Sequence, residues 1–153
     1  MNLSGLGIAV LGTGNIGTSI ASGLYKSGLF NPSKIFLTRK RLELLKSFGE
    51  KGFRLTSDNA LAAFESEIII LAVTPQQLNS MMEEIKHILD PAKHIILSVV
   101  SGASIKQMKE HLGKDMQVVR VMPNTAISIQ ESMTCISADK SDEKAKQYAV
   151  EIF

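Results

Sequence analysis

Tryptophan is absent from this 153-residue chain and aromatic residues make up only 5%. Flat ring platforms for stacking nucleic-acid bases are therefore not to be expected. Charge of one sign is also missing: Lys and Arg exceed Asp and Glu by only two. The sole basic run is Arg39, Lys40 and Arg41, so no general affinity for nucleic acid is expected. Cysteine occurs once, as Cys135. That excludes an internal disulfide framework and fits a reducing cytoplasm. Cys135 itself is expected to be a small buried hydrophobe on a strand. No apolar run reaches the roughly 18 residues of a membrane span, and no signal-peptide pattern opens the chain. The three histidines, His87, His94 and His111, lack metal-ligand spacing with each other or with Cys135, so no metal is expected. No Ser-His-Asp arrangement is apparent, and no catalytic residue is assigned.

What is present is a dense early signal. Ile8 to Leu11 reads as a short buried strand. Gly12, Thr13, Gly14, Asn15, Ile16 and Gly17 then spell G-x-G-x-x-G. Ile16, Ile20 and Leu24 follow at helical spacing. Strand, glycine turn and helix in this order form a dinucleotide-binding signature. Gly12 permits the tight turn, Gly14 lets backbone approach a pyrophosphate, and Gly17 lets the helix sit close to the strand. The helix N-terminus, with its free N–H groups and positive dipole end, faces the anion.

The remaining chain alternates. Expected strands are Lys34 to Thr38, Phe53 to Thr56, Glu67 to Val73, His94 to Val100, Gln117 to Met122 and Ser132 to Ser137. Expected helices are Asn15 to Ser27 with Gly28 as its stop, one opening at Arg39 to Arg41 and ending at Gly52, and Asn59 to Phe64 capped by Asp58. Further helices run from Pro75 to about Leu89, from Ser104 to near Gly113, and from Asp142 to Phe153. Asp142, Glu143 and Lys144 read as a solvated helix start, and Met81 and Met82 as packing on a helix face. Near-continuous apolar strands indicate a parallel sheet covered on both faces. The expected fold is a single α/β domain with a doubly wound, mostly parallel sheet, Rossmann-like. Ligands of such sheets lie off the carboxyl ends of the strands. Loops beginning at Gly12, Thr38, Thr74 and Ser101 should meet there, with the turn at Asn124 as a further candidate.

An acidic residue commonly follows the glycines by about 20 positions and takes the ribose hydroxyls. Here Thr38 ends the second strand, Arg39 and Lys40 follow, and the next carboxylate is Glu43. A hydroxyl and cations suit a 2′-phosphate, which a carboxylate would repel. The cofactor expected is therefore NADP rather than NAD. Pro123, Asn124 and Thr125 form a polar turn directly after a buried strand, which suits either a plain turn or the orientation of a nicotinamide or small substrate.

Four stretches carry a resemblance: GTGNIG at Gly12 to Gly17, LAVTPQ at Leu71 to Gln76, SVVSGASI at Ser98 to Ile105, and VVRVMPNT at Val118 to Thr125. Over nearly its whole length the chain resembles the N-terminal domain of pyrroline-5-carboxylate reductase, and the MPNT stretch is the most specific part. The resemblance implies reduction of a cyclic imine to L-proline with hydride from NAD(P)H. It implies that Gly12 to Gly17 hold the pyrophosphate and that Thr38, Arg39 and Lys40 hold the 2′-phosphate. Asn59 would lie near the adenosine ribose. Ala72, Val73, Thr74 and Pro75 would line the ribose and nicotinamide, beside Val99, Val100 and Ser101. Asn124 and Thr125 would face nicotinamide and substrate. Three places depart from the family: Thr74 stands where Lys is usual, Ala126 where Pro is usual, and Gln130, Glu131 and Ser132 where a glycine-bearing segment is usual. The family continues into a helical domain that forms the homo-oligomer. Residues 1–138 would then be the NADP-binding domain and 139–153 the start of a linking helix, with no nucleic-acid or membrane partner. Two other readings stay open. One is a stand-alone NADP-binding module without catalysis. The other is a different NADP-linked dehydrogenase, prephenate dehydrogenase-like or deazaflavin-dependent NADP reductase-like.

Overall fold

A computed structural model of the chain describes residues 3–153. Its sheet contains β1 (Ile8–Leu11), β2 (Ile35–Thr38), β3 (Arg54–Thr56), β4 (Ile68–Leu71), β5 (Ile95–Ser98), β6 (Gln117–Met122) and β7 (Cys135–Ala138). The helices are α1 (Asn15–Ser27), α2 (Lys46–Glu50), α3 (Asn59–Phe64), α4 (Pro75–Ile85), α5 (Ile105–Leu112) and α6 (Glu143–Ile152). The strand order is β3-β2-β1-β4-β5-β6-β7. All neighbours run parallel except β6 and β7. This is the doubly wound arrangement, and its order reverses between β1 and β4. The two strands pair there in register from Ile8 with Ile68 to Leu11 with Leu71. A ligand crevice belongs at that reversal.

Alternation along each strand builds two cores. Ile8 and Val10 face α1 and α6, where Ile20, Leu24, Ala145 and Ala149 are buried. Ala9 and Leu11 face α3, α4 and α5, where Ala62, Leu78, Met82, Ile85 and Met108 are buried. Met81 and Met82 thus pack as expected. Strands end shorter than the apolar runs imply, because burial extends past the paired residues: Ala72, Val99 and Val100 are buried outside β4 and β5.

Four readings are corrected. Arg39 to Arg41 do not open an α-helix. A 3₁₀ turn spans Leu42–Leu45 and α2 begins only at Lys46. Leu42, Leu45 and Phe48 are spaced by three, the period of a 3₁₀ helix, and Leu45 and Phe48 are buried on that pattern. Cys135 lies on a strand but is exposed, because β7 is the sheet edge and alternates between exposed and half-buried positions. β7 starts three residues later than expected and runs antiparallel, since a 3₁₀ segment, Thr125–Ile129, replaces a crossover helix before it.

Asp142 is the fourth correction, being buried rather than solvated. It accepts the Val118 N–H at 3.2 Å and pairs with Lys109 Nζ at 2.6 Å, tying α5 and the start of α6 to β6. Burial opposes the charge on Lys109, but hydrogen bonds to Asp142 and Asp139 outweigh it and hold the ammonium above its ordinary pKa. Without Asp142, Lys109 keeps only the more exposed Asp139 at 3.1 Å, and the buried Val118 N–H loses its acceptor. Asp142→Ala is expected to lower stability by about 3 kcal/mol, read as a shift in the urea midpoint. A change below about 0.5 kcal/mol, the level of a surface substitution, would refute the role.

Candidate functional site

The crevice is built first by the loop after β1. Gly12 has φ +87, and a Cβ there would meet Val73 Cγ1 at 2.5 Å, so turn and close approach both require glycine. Thr13 is buried, and its N–H and Oγ1 both donate to the Thr38 carbonyl, at 2.9 and 2.7 Å. Gly17 sits where a Cβ would lie 2.5 Å from the Gly12 carbonyl oxygen, which brings α1 against the loop. Gly14 is different. A Cβ there meets nothing within 4 Å, so the space in front of it is open. Gly14 is also the N-cap of α1, no side chain caps that end, and no acid lies in the first turn. The N–H groups of Asn15, Ile16 and Gly17 therefore point out of the helix start without intrahelical acceptors. This is an anion cradle.

The second wall is the end of β2. Thr38 is buried, and its hydroxyl is engaged within the protein. It accepts the Gly12 N–H at 3.1 Å and donates to Asn59 Oδ1 at 2.6 Å. Arg39 reaches back, its guanidinium donating to the Thr13 carbonyl at 2.8 Å. Among the described residues neither Arg39 nor Lys40 forms an ion pair, whereas Arg41 pairs with Glu43 at 2.9 Å.

The third wall comes from β4 and α4. Ala72, Val73 and Thr74 carry the chain off β4, and Pro75 starts α4. Gln77, Ser80, Met81 and Glu84 of α4 line the same cleft of about 460 Å³ as Gly12, Thr13, Gly14, Thr38, Arg39, Lys40 and Asn59. The first three expected loops thus converge. The others do not join them. Val99 and Val100 are buried. Ser101 and Pro75 line a separate groove between α4 and α5. Asn124 caps the 3₁₀ segment, its Oδ1 accepting the Ala126 N–H at 3.0 Å, and its own N–H donates to Ser132 Oγ. Thr125 is exposed and begins that segment, which packs on α1, with the Ile127 carbonyl where a Gly23 Cβ would lie.

Glu84, Gln77 and Ser80 went unnoticed in the sequence as cleft residues. A signal existed: Gln77, Ser80, Met81 and Glu84 fall at i, i+3, i+4 and i+7, one face of α4. Among the described residues the cleft thus carries one carboxylate, on the α4 side. Glu84 Oε2 accepts the Asn59 Nδ2–H at 2.7 Å. His94 sits at the start of β5, at the opposite end of the strands. It is buried, its Nδ1 accepts the Asp90 N–H, and burial lowers its pKa.

Fold and cleft together define a nucleotide-binding domain of the doubly wound α/β class. The model of the family described as NADP oxidoreductase, coenzyme F420-dependent, matches residues 7–102, and the chain belongs to that family. Over 147 residues it is 46% identical to pyrroline-5-carboxylate reductase 2 of Dictyostelium discoideum, covering 94% of this chain and 48% of the relative. Pyrroline-5-carboxylate reductase 1 of the same organism is 41% identical over 99% of this chain and 29% of its own length. Among solved structures, a pyrroline-5-carboxylate reductase from Coxiella burnetii superposes with a TM-score of 0.89 at 34% identity, over 96% of this chain and 55% of that one. The chain spans about half the length, or less, of these relatives. Among the described residues no helix is long and apolar enough to cross a membrane.

Proposed function

We propose that this chain is the NADPH-binding part of a reductase that converts the cyclic imine pyrroline-5-carboxylate to L-proline. The observation that carries the reading is the 46% identity to a protein of that name over 94% of the chain. The cradle at Gly14 fits the cofactor: its open space, the uncapped α1 terminus and the two unpaired cations suit a pyrophosphate and a 2′-phosphate. When bound, the nicotinamide supplies a hydride to the C=N carbon. This chain's part is to bind and orient. Gly12 to Gly17 hold the pyrophosphate, Arg39 and Lys40 hold the 2′-phosphate, and Asn59 lies by the ribose. Thr38 serves from behind, by fixing the glycine loop. Ala72, Val73 and Thr74 wall the nicotinamide side, with Val99 and Val100 buried behind and Pro75 and Ser101 bordering it from the neighbouring groove, while Asn124 and Thr125 stand toward the substrate. Residues 139–153 lead toward a helical domain that completes the imine pocket and carries the homo-oligomer contacts of a cytoplasmic enzyme.

Cofactor choice tests the reading. The unmutated chain is expected to bind NADPH at least about tenfold more tightly than NADH, because charge-assisted contacts to the extra phosphate add roughly 1.5–3 kcal/mol. Arg39→Asp is expected to bring the two affinities together, mostly by weakening NADPH. Calorimetric titration of both nucleotides decides. Equal affinities in the unmutated protein would sink the assignment of Arg39 and Lys40.

A further inference from the structure

We infer that Glu84 is a positioning residue for the cofactor cradle, acting through Asn59 and Thr38 on the Gly12 amide; this rests on the cofactor reading of the cleft. Three consecutive hydrogen bonds cross the cleft from α4 to the glycine loop. Asn59 Nδ2–H donates to Glu84 Oε2 at 2.7 Å, Thr38 Oγ1–H donates to Asn59 Oδ1 at 2.6 Å, and Gly12 N–H donates to Thr38 Oγ1 at 3.1 Å. The direction of this relay is set at its Glu84 end. A carboxylate has no proton to give, so it takes only the NH₂ side of an amide. That turns Asn59 Oδ1 toward Thr38, and the Thr38 hydroxyl proton is drawn to Asn59. The Thr38 lone pairs are thereby left for Gly12 N–H. With no acceptor at position 84, the Asn59 amide is free to reverse and present its NH₂ to Thr38. Thr38 would then have to accept from both Asn59 and Gly12, while its own proton, no longer taken by Asn59 Oδ1, turns elsewhere and resets the hydroxyl that holds the Gly12 N–H. The Thr38 carbonyl holds both the N–H and the Oγ1 of Thr13, so the whole Gly12–Thr13 turn hangs on how Thr38 is set.

Each link is placed by a different element. Glu84 lies in the last turns of α4, Asn59 is the first residue of α3, and Thr38 is the last residue of β2. The relay therefore locks the two walls of the cleft to the loop that must present its amides to a pyrophosphate. Because the pyrophosphate is common to both nucleotides, losing the relay should weaken NADPH and NADH alike. Losing Arg39 should weaken NADPH far more than NADH.

Two variants separate the hydrogen bond from the charge. Glu84→Ala removes the acceptor. Glu84→Gln removes the charge but keeps an oxygen able to accept from Asn59. The readouts are the Gly12 amide resonance and its hydrogen-exchange rate in the nucleotide-free chain, with Kd values for both nucleotides. Glu84→Ala is expected to move the Gly12 resonance, speed its exchange, and raise both Kd values by roughly tenfold. Glu84→Gln is expected to keep the Gly12 signature and stay within about threefold of the parent in both Kd values. An unmoved Gly12 resonance in Glu84→Ala would overturn the relay. So would a change confined to the NADPH-to-NADH ratio, or identical behaviour of the two variants, either of which would make Glu84 a charge alone. If the unmutated chain bound neither nucleotide, the cofactor reading would fall, and the Gly12 resonance would still decide whether Glu84 sets the loop.

Discussion

Gly14→Val is expected to raise the Kd for NADPH more than about 100-fold, some 2.8 kcal/mol, while leaving the unfolding midpoint almost unchanged. The two halves of this expectation come from one measurement. A Cβ at Gly14 meets no protein atom within 4 Å, so an added side chain displaces nothing that packs in the fold. The stability effect should accordingly be far smaller than the binding effect. The open space is the space in front of the uncapped α1 N-terminus, where on the proposed reading the pyrophosphate would sit, and two methyl groups would stand in it. The neighbouring glycines give the contrast. Gly12→Ala is strained at φ +87 and drives a Cβ to 2.5 Å from Val73, and Gly17→Ala drives one to 2.5 Å from the Gly12 carbonyl. Those two should lose stability together with binding. A folded Gly14→Val chain with its nucleotide affinity intact would move the pyrophosphate out of this cradle. Thermal unfolding and calorimetric titration on the same sample check both halves.

The fold was legible because its signals are local and repeated. Buried runs such as Ile68–Leu71 read as strands on composition, and Gly28 and Asp58 mark helix ends through their own backbone or side-chain chemistry. The Gly12 to Gly17 cradle was legible for the same reason: six consecutive residues carry it. What was illegible depends on distant pairs. Thr38 reads as a phosphate ligand until Gly12 and Asn59 are seen to take both sides of its hydroxyl. Glu84 reads as an ordinary helix carboxylate until α4 lays it across from Asn59. Asp142 reads as a solvated start until Lys109 and the Val118 amide enclose it. In each case the partner is more than 20 residues away, and no periodicity reports it.

Turnover is where the largest difference is expected. The 153-residue chain alone should bind NADPH and reduce pyrroline-5-carboxylate no faster than solution does, whereas a protein of the relatives' full length should turn over. Hydride transfer needs the imine carbon held roughly 3–3.5 Å from the nicotinamide, and a proton donor for the nitrogen. The cleft proposed for the cofactor lies along β1, β2 and β4, but Asn124 and Thr125 lie at the end of β6, outside it. Asn124 has its Oδ1 and N–H engaged by Ala126 and Ser132, and both residues are exposed. An open surface cannot fix a small imine to that tolerance, since misplacement by about 1 Å already costs on the order of 100-fold. On the proposed reading, the missing wall would come from the part of the relatives' length that this chain does not span. The assay follows NADPH absorbance with the imine present, for both lengths at equal concentration. Comparable turnover by the 153-residue chain would place the catalytic groups here, and Asn124 and Thr125 would be the first to replace. No turnover by the longer protein, with NADPH binding intact, would favour another NADP-linked dehydrogenase reaction or a binding role without catalysis.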